Sequence, residues 1–265
     1  MHASPASAMP GLAGDKQGLP IRGRQTSAKP DRLFYTVAAA IFLVLNIIGF
    51  QHYLFEGKHH DGTPIDPSNV ATVAVHGSSI FAWYVLFFVQ SLLISTQNRR
   101  LHMKLGWSVL VIAPMIVLTG QLVAIRSLRL DPNAVVFDWP GRQFLLLQLT
   151  EIALYVIFVA IGVLNRKRPR IHRPMMLLPS LIFMTAPTTR MPLINSIFGS
   201  HTWMAFWGPV LSLGALLLLM RLAMTRRVER EFAVGYVAFV VFTVLVSRLA
   251  VTSVWVNWAE MILKP

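Results

Sequence analysis

The chain of 265 residues is 55% hydrophobic and only 13% charged, with a mean hydropathy of +0.58; this is too apolar for a soluble domain of that size and reads as a polytopic membrane protein. Its formal charge of +13 would suit nucleic acid if the basic residues shared one solvated face, but they fall in short loops between apolar runs, which excludes that partner and leaves the lipid bilayer. There is no cysteine, so disulfides, thiolate metal sites and thiol catalysis are excluded as well.

Residues 1–32, rich in Ser, Pro, Gly and Ala and carrying Lys16, Arg22, Arg24, Lys29 and Arg32, lack apolar periodicity and read as a flexible basic tail ahead of a membrane domain over 33–265. The first long apolar run begins near Leu33, too far in for a cleaved signal, and is read as a retained span. At about 20 apolar residues per crossing, the expected fold is all-α with seven transmembrane helices, at 33–54, 72–95, 104–125, 143–164, 174–190, 203–223 and 233–256. The tail and the turns 96–104, 165–173 and 221–231 hold seventeen Lys and Arg; the alternate loops and the C-terminus hold six, and Arg248 falls within a span. By the positive-inside rule the N-terminus is cytoplasmic and the C-terminus external. Trp107 at an inner end, and Trp139, Trp203, Trp207, Trp255 and Trp258 towards outer ends, are placed as interfacial anchors.

In the second span His76 shares a helical face with Ser79, Trp83 and Gln90, so this stripe should face the bundle. In the fourth, Glu151 lies on a face with Gln148 and Tyr155. It matches Arg248 of the seventh span in sign and in depth, both sitting ~12 to 14 Å from the outer end at 1.5 Å per residue. An ion pair between them is expected, with either a packing role or a proton or substrate role. Together with Gln121, Arg126 and Arg190, the residues His76, Gln148, Glu151 and Arg248 outline an outward polar pocket for a small anionic or carbonyl-bearing ligand. The fifth span carries Pro174, Pro179, Pro187 and Pro192. Pro174 suits a first turn, whereas Pro179 and Pro187 should kink the helix and bury it against protein or a cavity. Externally, His59, His60 and Asp61 form a weak metal-binding pattern.

No nucleophile with its base, no phosphate loop and no HExxH motif is present, so hydrolase and ATPase chemistry has no support and enzyme status stays open. Two turns echo each other, NRRLHMKLGW around His102 and RPRIHRPMML around His172, as do the helices before them, AWYVLFFV and ALYVIFVA. His102 and His172 read either as interfacial cap residues or as the axial ligands of one b-type haem near the inner face. A second haem would need His76 with His201 or His52, because a full crossing separates His76 from His102. The helix from His76-Gly77 to Gln90 and its turn at Arg99-Arg100-Leu101-His102 resemble the cytochrome b561-like membrane proteins. That resemblance implies haem b and membrane electron transfer. The fourth span, where that family places a further ligand, has Gln148 and Glu151 instead. The turn His102-Met103-Lys104-Leu105-Gly106-Trp107 and the later His172-Arg173-Pro174-Met175-Met176-Leu177 also resemble a group of seven-helix bacterial inner-membrane proteins without an established activity, which implies a multi-pass protein of the bacterial plasma membrane. Beside electron transfer, small-ligand binding or transport and a role as a membrane assembly factor remain as readings.

Overall fold

The computed structural model describes residues 29–59, 62–199 and 202–264, with side chains from 33 onward apart from 202. The expected tail, apart from the backbone of its last four residues, lies outside this range, as do His60, Asp61 and His201. The elements are α1 (Lys29–Gly49), α2 (Val70–Ser95), α3 (Arg99–Leu105), α4 (Val109–Leu130), α5 (Gly141–Leu164), α6 (Pro169–Ile182), α7 (Thr185–Thr188), α8 (Pro192–Phe198), α9 (Thr202–Thr225), α10 (Arg230–Ala250) and α11 (Ser253–Leu263). One short antiparallel ribbon, β1 (Val135–Val136) and β2 (Trp139–Pro140), joins α4 to α5. A 3-10 turn at Gly106–Ser108 links α3 to α4.

Five helical segments among the described residues are long and apolar enough to cross a bilayer: Val70–Ser95, Arg99–Leu130, Gly141–Leu164, Trp203–Thr225 and Arg230–Ala250. Leu33–Gly49 is a shorter apolar helix. The outer surface is aliphatic, with Leu118, Leu219, Val234, Val237 and Leu245 exposed. An apolar exterior around a hydrogen-bonded helical interior is the arrangement of a membrane-embedded protein.

The bundle is built around α6 and α7. Met175, Leu177, Leu178, Pro179, Ser180, Leu181 and Ile182 run through more than a full turn of helix and are all buried, so α6 has no outward face along this stretch. A continuous helix cannot extend past it, because Pro187 has no N–H to give the Phe183 carbonyl and its ring would strike that carbonyl. The chain breaks one turn ahead of that proline. Met184 N–H turns to the Leu181 carbonyl at 3.0 Å, and α7 restarts with Pro187 in its first turn, where no donor is needed. The start also differs from expectation: Pro169 is the first helical residue, and Pro174 and Pro179 lie inside α6.

Neighbouring helices close on this axis through glycines. A Cβ on Gly49 of α1 would fall on the backbone of Pro187, 2.6 Å from its Cα, and one on Gly235 of α10 would overlap Leu178. The basic turns gather at one end of the bundle: Arg166 lies over Trp107, Arg170 pairs with Glu231 at 3.5 Å, and Arg221 with Glu229 at 2.7 Å. Glu229 also accepts from Tyr35 at 2.8 Å.

At the opposite end two expected spans are cut short. α1 stops at Gly49 and is followed by a π-helical turn, His52–Glu56, which ends at Gly57 in the left-handed region. α10 stops at Ala250. Thr252 caps α11, accepting from Trp255 N–H, and α11 packs on α5 and α4 instead of prolonging α10. Arg142 holds it through Glu260 at 3.0 Å, Trp255 Nε1 donates to the Arg142 carbonyl at 2.7 Å, and Arg129 donates to the carbonyls of Ile262 and Lys264. Trp207, expected as an interfacial anchor, is fully buried and donates to Ser247 Oγ at 3.2 Å.

Gly49→Ala drives a methyl into the Pro187 backbone, which has no rotamer with which to yield. The expected cost is about 1–3 kcal/mol, read as a lower thermal midpoint of the purified protein in detergent; an unchanged midpoint contradicts the close approach of α1 to α7.

Candidate functional site

His102 and His172 come together although 70 positions apart, with ring centres 6.4 Å from each other and planes at 85°. Each is aimed by its own hairpin. His102 Nδ1 lies 3.3 Å from the carbonyl of Gln90 on α2, and His172 Nδ1 lies 2.8 Å from that of Gly162 on α5. A carbonyl only accepts, so Nδ1 carries a proton in both rings, and in the neutral imidazole Nε2 then keeps its lone pair. At the second hydrogen bond, a Cβ on Gly162 would meet Met176 Sδ at 2.7 Å, so glycine leaves room for that side chain as α6 packs on α5. The repeated turn motifs thus have a structural counterpart in one device used twice. Beside His102, both side-chain atoms of Gln90 are buried without a hydrogen-bond partner. Arg99 and Arg173 lie close enough to act electrostatically on His102 and His172, respectively.

The expected outer pocket does not gather. Arg248 is exposed in the last turn of α10, one and two positions off the buried Ser247 and Val246, and forms no ion pair with the buried Glu151. The pair is not formed: α10 ends at Ala250 and leaves Arg248 exposed in its last turn. Gln121 is exposed on α4, and Arg126 donates to Thr72 Oγ1 at 2.6 Å. Arg190 bonds back to the Ala186 carbonyl and lies 4.8 Å over the Phe50 ring. Gln148 is half-buried one turn from Glu151. One concavity of about 360 Å³ is lined by Ser68, Asn69, Arg126, Arg129 and Leu130, and one of about 230 Å³ by Leu45, Thr188 and residues of α8 and α9; neither includes His76, Gln121, Gln148, Glu151, Arg190 or Arg248.

His76 is also without a histidine partner among the described residues. Its Nδ1 meets Thr119 Oγ1 at 3.1 Å, while His52 is held by Glu56 at 2.8 Å on the turn outside α1 and His59 by Tyr53 at 2.9 Å. The stripe expected to run from His76 does face inward, with Ser79 and Trp83 buried and Phe87 added to it.

A second buried polar group forms where α2 meets the α6–α7 break. Trp83 Nε1 donates to Ser180 Oγ at 3.0 Å and Tyr84 Oη to the Ser180 carbonyl at 2.9 Å. The Tyr155 ring lies edge-on to Trp83, 5.0 Å away, and stacks on Phe183 at 4.6 Å. The Thr185 hydroxyl approaches the Glu151 carboxyl. The sequence pointed to Glu151, Tyr155 and Trp83. Ser180 and Thr185 were missed, because a serine and a threonine in an apolar run give no sign of which backbone they will meet; their place beside the expected proline kink was the available signal.

Ser180→Ala leaves the Trp83 indole N–H buried and unpaired, at a cost of about 1–3 kcal/mol. Adding Trp83→Phe should then cost much less than Trp83→Phe does alone, measured by unfolding in a double-mutant cycle; strict additivity contradicts the bond. Comparison of the chain with protein-family models, with curated proteins and with solved structures finds no significant match.

Proposed function

We propose that the chain is a seven-span protein of the bacterial inner membrane, N-terminus cytoplasmic and C-terminus external, in which His102 and His172 would hold a b-type haem serving membrane electron transfer. The fifth crossing is made by the broken segment of α6 and α7. The orientation is supported by the seventeen basic residues assigned to the tail and the three turns of one side. The likeness to cytochrome b561-like proteins, and to seven-helix inner-membrane proteins, belongs to this reading.

The observation that carries it is the histidine pair. The two ring centres lie 6.4 Å apart, close enough that both imidazoles would hold one metal group between them. The donors suit the group in kind. Two neutral imidazoles are anchored through Nδ1 to backbone carbonyls, the arrangement that fixes tautomer and ring orientation in histidine ligands. The orphaned amide of Gln90 offers a donor and an acceptor beside the pair, and Arg99 and Arg173 supply positive charge for propionates. When bound, a haem supplies a one-electron couple. The chain's part is to aim the rings from two hairpins, surround them with apolar helix and place them near one membrane face, where a partner in solution can approach.

Protein purified from cells supplied with ample haem should show a Soret band, with α bands on dithionite reduction. His102→Ala and His172→Ala should each abolish or shift them. Absence of any haem spectrum in the folded wild type overturns the proposal.

A further inference from the structure

Glu151 is buried in α5 with no cation in contact, and its Oε1 makes no hydrogen bond. The Tyr155 hydroxyl, one turn along the same helix, is likewise buried without a partner. A carboxyl so placed in a membrane-crossing helix costs several kcal/mol unless something compensates its charge. An ion pair does not. Tyr84 on α2 is the titratable group that interacts with both Glu151 and Tyr155, and it is neutral and committed to Ser180. On the elements packed around α5, the charged and titratable groups are engaged elsewhere or exposed: Arg126 of α4 with Thr72 and Arg129 with Ile262 and Lys264, Arg170 of α6 with Glu231 of α10, His172 of α6 with Gly162 and Arg173 beside it, Glu260 of α11 with Arg142, Arg230 and Arg248 of α10 at the surface, His76 of α2 with Thr119, and Arg190 beyond α7 with Ala186, its Nε buried without a partner.

A hard cation would need about six oxygens around it. The break in α6–α7 would have to provide most of them, and its carbonyls, apart from that of Phe183, which alone is too few, already serve protein donors. Ser180 accepts from Tyr84, Leu181 from Met184 N–H, Ile182 from the Thr185 hydroxyl at 3.1 Å, and Met184 from the Thr188 hydroxyl at 2.6 Å. That leaves the smallest cation. We propose that Glu151 is an intramembrane proton-binding site, seated against the α6–α7 break and separate from the histidine pair. The carboxylate takes one proton from a hydronium ion, forming one O–H bond at its unpartnered oxygen as one O–H bond of the hydronium breaks to leave water, and returns it by the reverse step; no redox partner is required. Thr185 and Tyr155 are positioning residues: the first approaches the carboxyl from the broken helix, and the second places a free hydroxyl one turn away.

The test is infrared difference spectroscopy of the full-length protein in lipid nanodiscs, taken between mildly acidic and mildly alkaline buffer. The expected result is a protonated-carboxyl stretch that grows on acidification, shifts in D₂O and is lost in Glu151→Gln. A band that is constant across the range, meaning a permanently neutral packing group, overturns the proposal. So does the absence of any band that Glu151→Gln removes. Should Glu151→Gln fail to fold, Thr185→Val and Tyr155→Phe decide: each should move the midpoint of the band's appearance, and identical midpoints in wild type and both variants overturn it.

Discussion

A helix broken inside a bilayer exposes carbonyls that lipid cannot solvate, and protein groups must satisfy them. In this chain the prolines at 179 and 187 impose that requirement at the middle of the bundle, and much of the packing answers it. Tyr84 reaches the Ser180 carbonyl from α2, and Thr185, Thr188 and Thr189 turn their hydroxyls onto carbonyls of their own segment. Glycines on four helices let backbone or large side chains close around the break: Gly49, Gly162, Gly214 and Gly235 each face α6 or α7 with no room for a methyl. The element with the poorest helical hydrogen bonding is therefore the one most fully enclosed.

The same enclosure separates two polar centres that differ in kind. At the basic end, His102 and His172 are held by carbonyls of the helices that precede them, so each hairpin fixes its own ring and the packing of the two hairpins sets the distance between them. Deeper in the bundle, Glu151 has the Thr185 hydroxyl beside it and one oxygen without a partner. The first centre is built from nitrogen donors and the second from oxygen groups, the chemical difference on which the two proposals rest. At the other end of the bundle α11 acts as a strap, its ion pair and carbonyl contacts tying the C-terminal segment across α4 and α5.

Apolar run lengths determined that the chain is helical and membrane-embedded, because a bilayer accepts few alternatives to a long helix. Composition likewise ruled out thiol chemistry, and the proline spacing marked the segment that would not run straight. The inward stripe of α2 was legible from helical spacing alone, since 3.6 residues per turn fixes which side chains share a face. What spacing cannot express is where a helix stops and which neighbour it meets. Glu151 and Arg248 matched in depth only on the assumption that the last span ran unbroken to 256; a turn at Thr252 made Arg248 a helix-end residue and released the pair. The outer polar layer dissolved for a related reason: residues at one depth point in different directions once each helix has its rotation, and rotation is set by packing against all neighbours at once. His102 and His172 show the converse. Their common side was implied by the basic turns, but a ring separation of 6.4 Å depends on how α5 and α6 pack at Gly162, where a Cβ would meet the Met176 side chain, and only the folded bundle decides that.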